Sequence, residues 1–291
     1  MPKSDNMGHS LGMIEIAFRG RLGNQLFQFA YATTLAAKLG CRLGADFGWY
    51  FRAPEPFELW RFEKTGLSPV TRMSEAIGRV AEKLRFLRPL REYEMYETRF
   101  DPAALQVGDG VRLNGWFQSV RYFESRADQV RALYDLSPFT PQAEMAALRA
   151  AADGRPLVAL HVRRGDYVNN PHFFLDDYEA YYRRALDHMA DVLGTQPFIV
   201  VLSDDPAWCR DWTLLKGFRH EVFAASGPSD AFTDLAVMAA CDHNIITNSS
   251  FSWWGAWLGD PVQRRVVMPK RWLPTRTTLE CDMDVPGWNL I

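Results

Sequence analysis

Hydrophobic and polar residues fall into blocks along this chain, and the blocks read in turn as strands and helices. Met13–Phe18 is a short apolar run suited to a buried strand. Gly20-Arg21-Leu22-Gly23-Asn24-Gln25 follows, then a run to about Leu39 whose apolar residues Leu26, Phe29, Ala30, Leu35 and Leu39 mostly keep helical spacing. Cys41–Asp46 is the next strand, so the opening segment predicts a βαβ unit. Residues 47–110 carry Pro54, Pro56, Pro69, Pro89 and Pro102 and read as loops and short helices. Val111–Trp116 reads as a strand, and Ser119–Leu133 and Pro141–Ala151 as helices. The breaker Ala152-Asp153-Gly154-Arg155-Pro156 predicts a boundary between a domain 1–153 and a domain 154–291.

The second half alternates more cleanly. Leu157–Val162, Phe198–Ser203, Asn244–Thr247 and Arg265–Met268 read as strands. Asp176–Ala190, Pro206–Leu215, Ser229–Cys241 and Ser250–Leu258 read as helices between them. Strands separated by helices imply a parallel sheet with both faces covered. Ligands on such sheets bind beyond the carboxyl ends of the strands.

Composition narrows the class. The 291 residues are 47% hydrophobic and 23% charged with a net charge of -2, which excludes a mainly disordered, collagen-like or disulfide-stapled chain. That balance also argues against broad nucleic-acid binding. Gly23–Ala37 and Asn244–Gly259 are uncharged but too short to span a membrane. Cys41, Cys209, Cys241 and Cys281 form no CxxC pair, and Met1–Gly12 lacks the apolar core of a secretion signal. Reduced thiols in a cytoplasm are the simplest expectation.

The strand-end rule selects three places where chemistry concentrates. Leu157–Val162 runs into His161-Val162-Arg163-Arg164-Gly165-Asp166-Tyr167, which puts two guanidiniums and a carboxylate at the ligand edge. Arginine's rigid fork suits phosphate oxygens, although each arginine could instead pair with a neighbouring carboxylate. Asn248-Ser249-Ser250-Phe251 follows a strand and opens a helix, where free amides and hydroxyls bind anions or a serine simply caps. Gly20–Gln25 is a tight turn with polar heads at Arg21 and Asn24. Trp253, Trp254 and Trp257 are expected mostly in the core. Asp176-Asp177 and Asp204-Asp205 are adjacent pairs that suit helix capping better than metal binding, so no metal is expected. If a pyrophosphate is the leaving group, arginine must then neutralise the charge that a metal otherwise would.

Together, Gly20-Arg21-Leu22-Gly23-Asn24-Gln25-Leu26-Phe27-Gln28, the His161–Tyr167 segment and Asn248-Ser249-Ser250-Phe251-Ser252-Trp253-Trp254-Gly255-Ala256-Trp257 resemble glycosyltransferase family 11, the α-1,2-fucosyltransferases. The resemblance runs from about residue 13 to about residue 270 with a poorly matched middle. It implies an α/β fold of GT-B type with two facing Rossmann-like domains, the first on the acceptor side and the second binding the GDP-sugar. It implies inverting, metal-independent transfer of L-fucose from the co-substrate GDP-β-L-fucose to the 2-hydroxyl of a galactose-terminated acceptor glycan, with no cofactor. Residue by residue, it places Arg163 at the β-phosphate and His161 near the nucleotide. Asp234 matches the carboxylate that reads guanine, though a helix-cap role is the plain alternative. Asn248, Ser249, Ser250 and Phe251 match the phosphate-contacting turn, and Arg21, Gly23 and Asn24 the loop over the reacting centre. Asp166 is the nearest candidate base, or else the residue that holds an arginine in place. Animal members carry an N-terminal anchor; the polar start here implies a bacterial-style cytoplasmic enzyme making surface polysaccharide, loosely peripheral to the inner membrane at most.

Two rivals stand beside this expectation. One is a fucosyltransferase of another linkage, α-1,6 or protein O-linked, which would share the arginine motif. The other is a non-catalytic nucleotide- or glycan-binding protein, which the tryptophan content would suit.

Overall fold

A computed structural model describes residues 12–71, 80, 90–224 and 230–291. Met1–Leu11, Pro89 and the predicted helix start at Ser229 therefore lie outside the described residues. The chain divides into two compact units, Met1–Arg61 with Gly66–Val130, and Phe62–Thr65 with Arg131–Ile291. Both are α/β with parallel sheets, as the alternation of blocks predicts.

In the first unit β1 (Met13–Ala17) buries Ile14 and Ile16 completely. Helix α1 (Leu22–Leu39) ends on Gly40 in the left-handed conformation. Strands β2 (Arg42–Asp46), β3 (Arg91–Met95) and β4 (Val111–Gly115) complete a parallel sheet of order β2-β1-β4-β3. Strand β3 sits within the stretch expected to be irregular. Its Arg-Glu-Tyr-Glu-Met sequence carries too little apolar residue to signal a strand, because it lies at the sheet edge with exposed positions.

Helix α2 (Ala127–Leu133) spans the chain junction at 130/131, and α3 (Gln142–Ala152) belongs to the second unit. The division expected at 153/154 is thus corrected to 130/131. Met145, Leu148 and Ala152 of α3 are buried, and Tyr134 packs edge-on against Trp254 at 5.4 Å. The Asp153-Gly154 breaker is the end of α3, with both residues at positive φ. It stops a helix without separating two cores.

The second unit is built on β5 (Leu157–Val162), β6 (Phe198–Ser203), β7 (Arg219–Val222), β8 (His243–Ile245), β9 (Val266–Met268) and β12 (Asn289–Leu290), in the parallel order β12-β9-β8-β5-β6-β7. A short antiparallel pair, β10 (Arg271–Leu273) and β11 (Arg276–Thr277), stands apart. Every residue of β5 and β6 is buried, which explains their unbroken apolar runs. Helix α4 (Tyr178–Leu193) lays Tyr181, Tyr182, Ala185, Leu186 and Met189 on Val158, Leu160, Val162, Ile199 and Val201. The remaining helices are α5 (Pro206–Asp211), α6 (Ala231–Ala240) and α7 (Ser250–Trp257). Trp253, Trp254 and Trp257 of α7 are all buried, so they are core residues as expected. The four cysteines are free thiols. Among the described residues no helix is long and apolar enough to cross a membrane.

Arg264 holds the carboxyl end of α6 in place. Its guanidinium donates to the carbonyls of Met238 at 3.0 Å, Ala239 at 2.6 Å and Cys241 at 2.7 Å, and to Asn244 Oδ1. These are the carbonyls that a helix end leaves without intrahelical partners. Arg264→Met is expected to lower unfolding stability by about 2–4 kcal/mol, because charge-assisted bonds are lost and carbonyls are stranded. Denaturant unfolding followed by tryptophan fluorescence measures this; an unchanged midpoint would mean that water satisfies those carbonyls equally well.

Candidate active site

All strands of the second sheet run the same way, so their carboxyl ends form one edge. Three neighbouring strands deliver the polar residues there. Val162 of β5 is paired with Ser203 of β6, and the next residues on each chain are Arg163 and Asp204. Leu160 is paired with Ile245 of β8, which places Arg163 and Asn248 at equivalent distances beyond that pair. The strand-end residues of β5 and β8 are therefore brought together.

Arg163 is fixed from two sides. Its Nε and Nη2 donate to Asp166 Oδ1 at 2.9 and 2.5 Å, and its Nη1 pairs with Asp204 Oδ2 at 3.0 Å. A guanidinium has five N–H donors, so two remain beyond these three contacts. The side chain is 18% exposed, enough to meet a ligand. Its Cζ lies 5.5 Å from the Tyr167 ring, and Tyr167 Oη donates to the carbonyl of Asn248 at 3.2 Å. One tyrosine thus bridges the arginine segment to the turn after β8. Gly165 permits this packing: a Cβ there would lie 2.6 Å from Asp204 Oδ2.

Arg164 has the structural role that the sequence left open. Its backbone N–H donates to Asp204 Oδ1 at 2.8 Å, its Nε to Asp205 Oδ2 at 3.2 Å, and its Cζ sits 3.8 Å over Trp208. Asp205 caps α5 by accepting from Trp208 N at 3.1 Å, as expected for that pair. The capping role expected of Asp176-Asp177 is not realised. Asp177 makes no side-chain cap bond to α4, and both carboxylates accept from Arg271 at 2.6 Å. Among the described residues no group of three or more His, Cys, Asp or Glu could hold a metal ion.

Asn248 is consumed internally. Its amide donates to the carbonyls of Phe173 at 3.0 Å and Trp272 at 2.9 Å, while Oδ1 accepts from Thr247 at 3.1 Å and from Tyr178. Its side chain shapes the turn and has no capacity left for a ligand. Ser249 is the N-cap of α7, yet its hydroxyl makes no capping bond, so it does not take up the first-turn amides. The helix start and the Ser249 hydroxyl make the donor-bearing end of the site. Phe251 packs against His161 with ring centroids 5.6 Å apart.

His161 is 4% exposed and its Nδ1 has no hydrogen-bond partner among the described residues. Burial first, and Arg163 second, push its pKa from 6.5 down to about 3. Asp234 lies one turn inside α6, which begins at Ala231 with Asp230 accepting from Phe232 N at 3.1 Å. The cap alternative for Asp234 is corrected, because Asp230 fills that role.

Arg21, Gly23 and Asn24 belong to the first unit. The turn is shorter than expected: Arg21 is the N-cap of α1, and Gly23 and Asn24 are already helical. Gly20 has φ +76°, a conformation that favours glycine. Asn24 Oδ1 accepts from Gln118 at 2.7 Å. Sequence reasoning missed Asp204, whose signal is its place directly after the apolar strand β6, just as Arg163 follows β5. It also missed the tyrosines Tyr167 and Tyr178, for which one-dimensional pattern holds no signal.

The sheet edge thus brings a braced guanidinium and a helix start without a side-chain cap bond to adjacent strand ends. The pattern of Glycosyl transferase family 11 matches residues 90–290. The O-antigen biosynthesis glycosyltransferase WbnK of Escherichia coli is 30% identical, over 91% of this chain and 96% of that protein. An alpha-1,2-colitosyltransferase of Escherichia coli is 25% identical, over 90% of this chain and 93% of that protein. Galactoside alpha-(1,2)-fucosyltransferase 1 of Ateles belzebuth is 29% identical, over 84% of this chain and 65% of that protein. The chain belongs to glycosyl transferase family 11.

The depressed His161 pKa has a measurable consequence. The folded protein keeps the ring neutral, while the unfolded chain takes up a proton below about 6.5, so stability falls as pH drops from 6.5 towards 3. His243, also lowered chiefly by burial, acts in the same direction. Denaturant midpoints taken across that window should fall less steeply for His161→Gln than for the parent. Parallel slopes would remove His161 from this account.

Proposed function

We propose that the chain transfers L-fucose from GDP-β-L-fucose to the 2-hydroxyl of a terminal galactose, with inversion and without a metal. The observation that carries this reading is the held guanidinium of Arg163, with two N–H groups to spare, at the same sheet edge as the start of α7. A diphosphate would take those donors together with the Ser249 hydroxyl at the start of α7. The bond between the fucosyl anomeric carbon and the β-phosphate oxygen breaks as the galactose oxygen bonds to that carbon from the opposite face. GDP departs with the electron pair, and its β-phosphate oxygen takes up the proton that the acceptor hydroxyl loses.

The donor set acts chiefly on the departing charge. Three carboxylates, Asp166, Asp204 and Asp205, face the two arginines here, so anion binding rests on directed donors and not on net local charge. Removing one preorganised electrostatic donor costs roughly 10²–10³-fold in rate. Arg163→Ala is therefore expected to lose at least that much transfer while remaining folded; substantial turnover by a folded variant would end the assignment. His161, with its unpartnered Nδ1, is assigned to the nucleotide side, and Asp234 to guanine.

Asp166 is assigned the role of positioning Arg163. Asp166→Asn should lower kcat and keep the acid limb of the pH–rate profile. Disappearance of that limb would make Asp166 the general base.

The decisive experiment is incubation with GDP-fucose, EDTA and a panel of galactosides, with product mass and linkage determined. An α-1,2 product formed in EDTA is expected. An α-1,6 or protein-linked product would favour the rival linkages, and GDP binding without transfer would favour a binding protein. A second donor warrants a parallel arm, because one relative is named an alpha-1,2-colitosyltransferase: GDP-colitose run beside GDP-fucose ranks the two sugars.

A further inference from the structure

We propose that the first unit carries a recognition site for an acidic saccharide, with Arg19 as the residue that receives the negative charge. The site is a cavity of about 330 Å³ at the carboxyl ends of β1 and β2, lined by Arg19, Asp46, Trp49, Arg52 and Arg112 among others. That volume is at the lower end of the range for small-ligand sites, about 300–1,000 Å³, and suits one sugar residue with a substituent.

The charges in its wall are unequally satisfied. Arg112 is matched several times over, by Glu92 at 2.8 Å, Glu15 at 3.4 Å and Asp46. Asp46, the lining carboxylate, is thereby engaged. Arg19 differs. Its Nη2 donates to the neutral amide oxygen of Asn114 at 2.5 Å, and its Cζ lies 4.9 Å from the Tyr96 ring. Its Nε is buried without a hydrogen bond, and no carboxylate pairs with it among the described residues. Tyr96 donates to the same Asn114 oxygen at 2.6 Å, so the aromatic ring and the amide hold the guanidinium in one place. A preorganised cation whose counter-charge is missing gains most from an anionic ligand.

The wall also carries Trp49, and an indole face suits the C–H surface of a sugar ring. A cation and an indole together select a sugar bearing anionic oxygens, as a carboxylate or as a phosphate ester, over a neutral sugar. This inference rests on the proposed function only in taking the saccharide to be the acceptor.

The test measures binding to the full chain by ligand-observed NMR titration of methyl galacturonide, galactose 6-phosphate, methyl galactoside and inorganic phosphate, with GDP titrated in parallel. One or both acidic sugars should bind about 10-fold more tightly than methyl galactoside, the increment of one charge-assisted contact. High salt and Arg19→Gln should abolish that preference, and Arg19→Lys should keep part of it. Which of the two acidic sugars binds identifies the anionic group. Equal binding of neutral and acidic sugars, a preference untouched by Arg19→Gln, or inorganic phosphate binding as tightly as galactose 6-phosphate would each overturn the inference. If Arg19→Gln does not fold, Arg19→Lys replaces it, with a reduced preference expected and full retention counting against the site. Failure of GDP to bind the parent protein would instead overturn the proposed function, which keeps the two failures distinct.

Discussion

The second unit depends on one constraint: a guanidinium emerging from the end of a fully buried strand must be held, or it will seek water. β5 is covered on both faces, and the residues after Val162 are the first that can be polar without penalty. Arg163 meets this constraint through Asp166 on its own chain and Asp204 from the next strand. The parallel register makes the second contact inevitable, because residues one step beyond a paired Val162 and Ser203 emerge side by side. A sheet-wide feature, the pairing of β5 with β6, thus sets the position of one catalytic candidate.

The same logic applies to the buried amides of the motifs. Gln25 donates to the carbonyls of Gly20 and Pro56 at 3.0 Å and accepts from Glu58 N at 2.9 Å, so it ties the start of α1 to the loop after β2. Gln28 accepts from Arg19 N at 3.2 Å and donates to Gly115 O at 3.0 Å, joining α1 to the ends of β1 and β4. Asn248 does the equivalent work in the second unit. Buried amides of this kind fix loop geometry because each unmade bond would cost about 1–3 kcal/mol. Much of what makes these segments recognisable is therefore scaffolding around a small number of residues with donors left over.

The sheet elements of the second unit were legible because their cause is local: an all-apolar run of six residues bounded by turn signals has few other uses. Leu157–Val162 and Phe198–Ser203 are found where the pattern puts them. Strand β3 and the division at 130/131 were not legible. An edge strand may be charged wherever its side chains meet water, and a domain boundary is decided by which core α3 joins, a tertiary fact. In the site, Arg163 and the turn at Ser249 were legible from chain position alone. Asp204 was read only as a helix cap, since its contact with Arg163 crosses from one strand end to the next and has no local signal.

The carboxylates around Arg163 bear on how such a site can work without a resident positive charge. With Asp166, Asp204 and Asp205 nearby, the arginines are neutralised as monopoles, and long-range attraction of any anion is weak. Two of the five N–H groups of Arg163 remain beyond its carboxylate contacts, and those contacts hold the side chain before a ligand arrives. That arrangement favours charge that develops at a defined point over charge that is merely present, which is the condition for stabilising a leaving group more than a ground state. Arg19 in the first unit presents the opposite case, a cation paired with no carboxylate among the described residues. Braced arginine suits discrimination in the transition state, and unbalanced arginine suits capture. The two units place these two kinds of arginine at the carboxyl ends of their respective sheets.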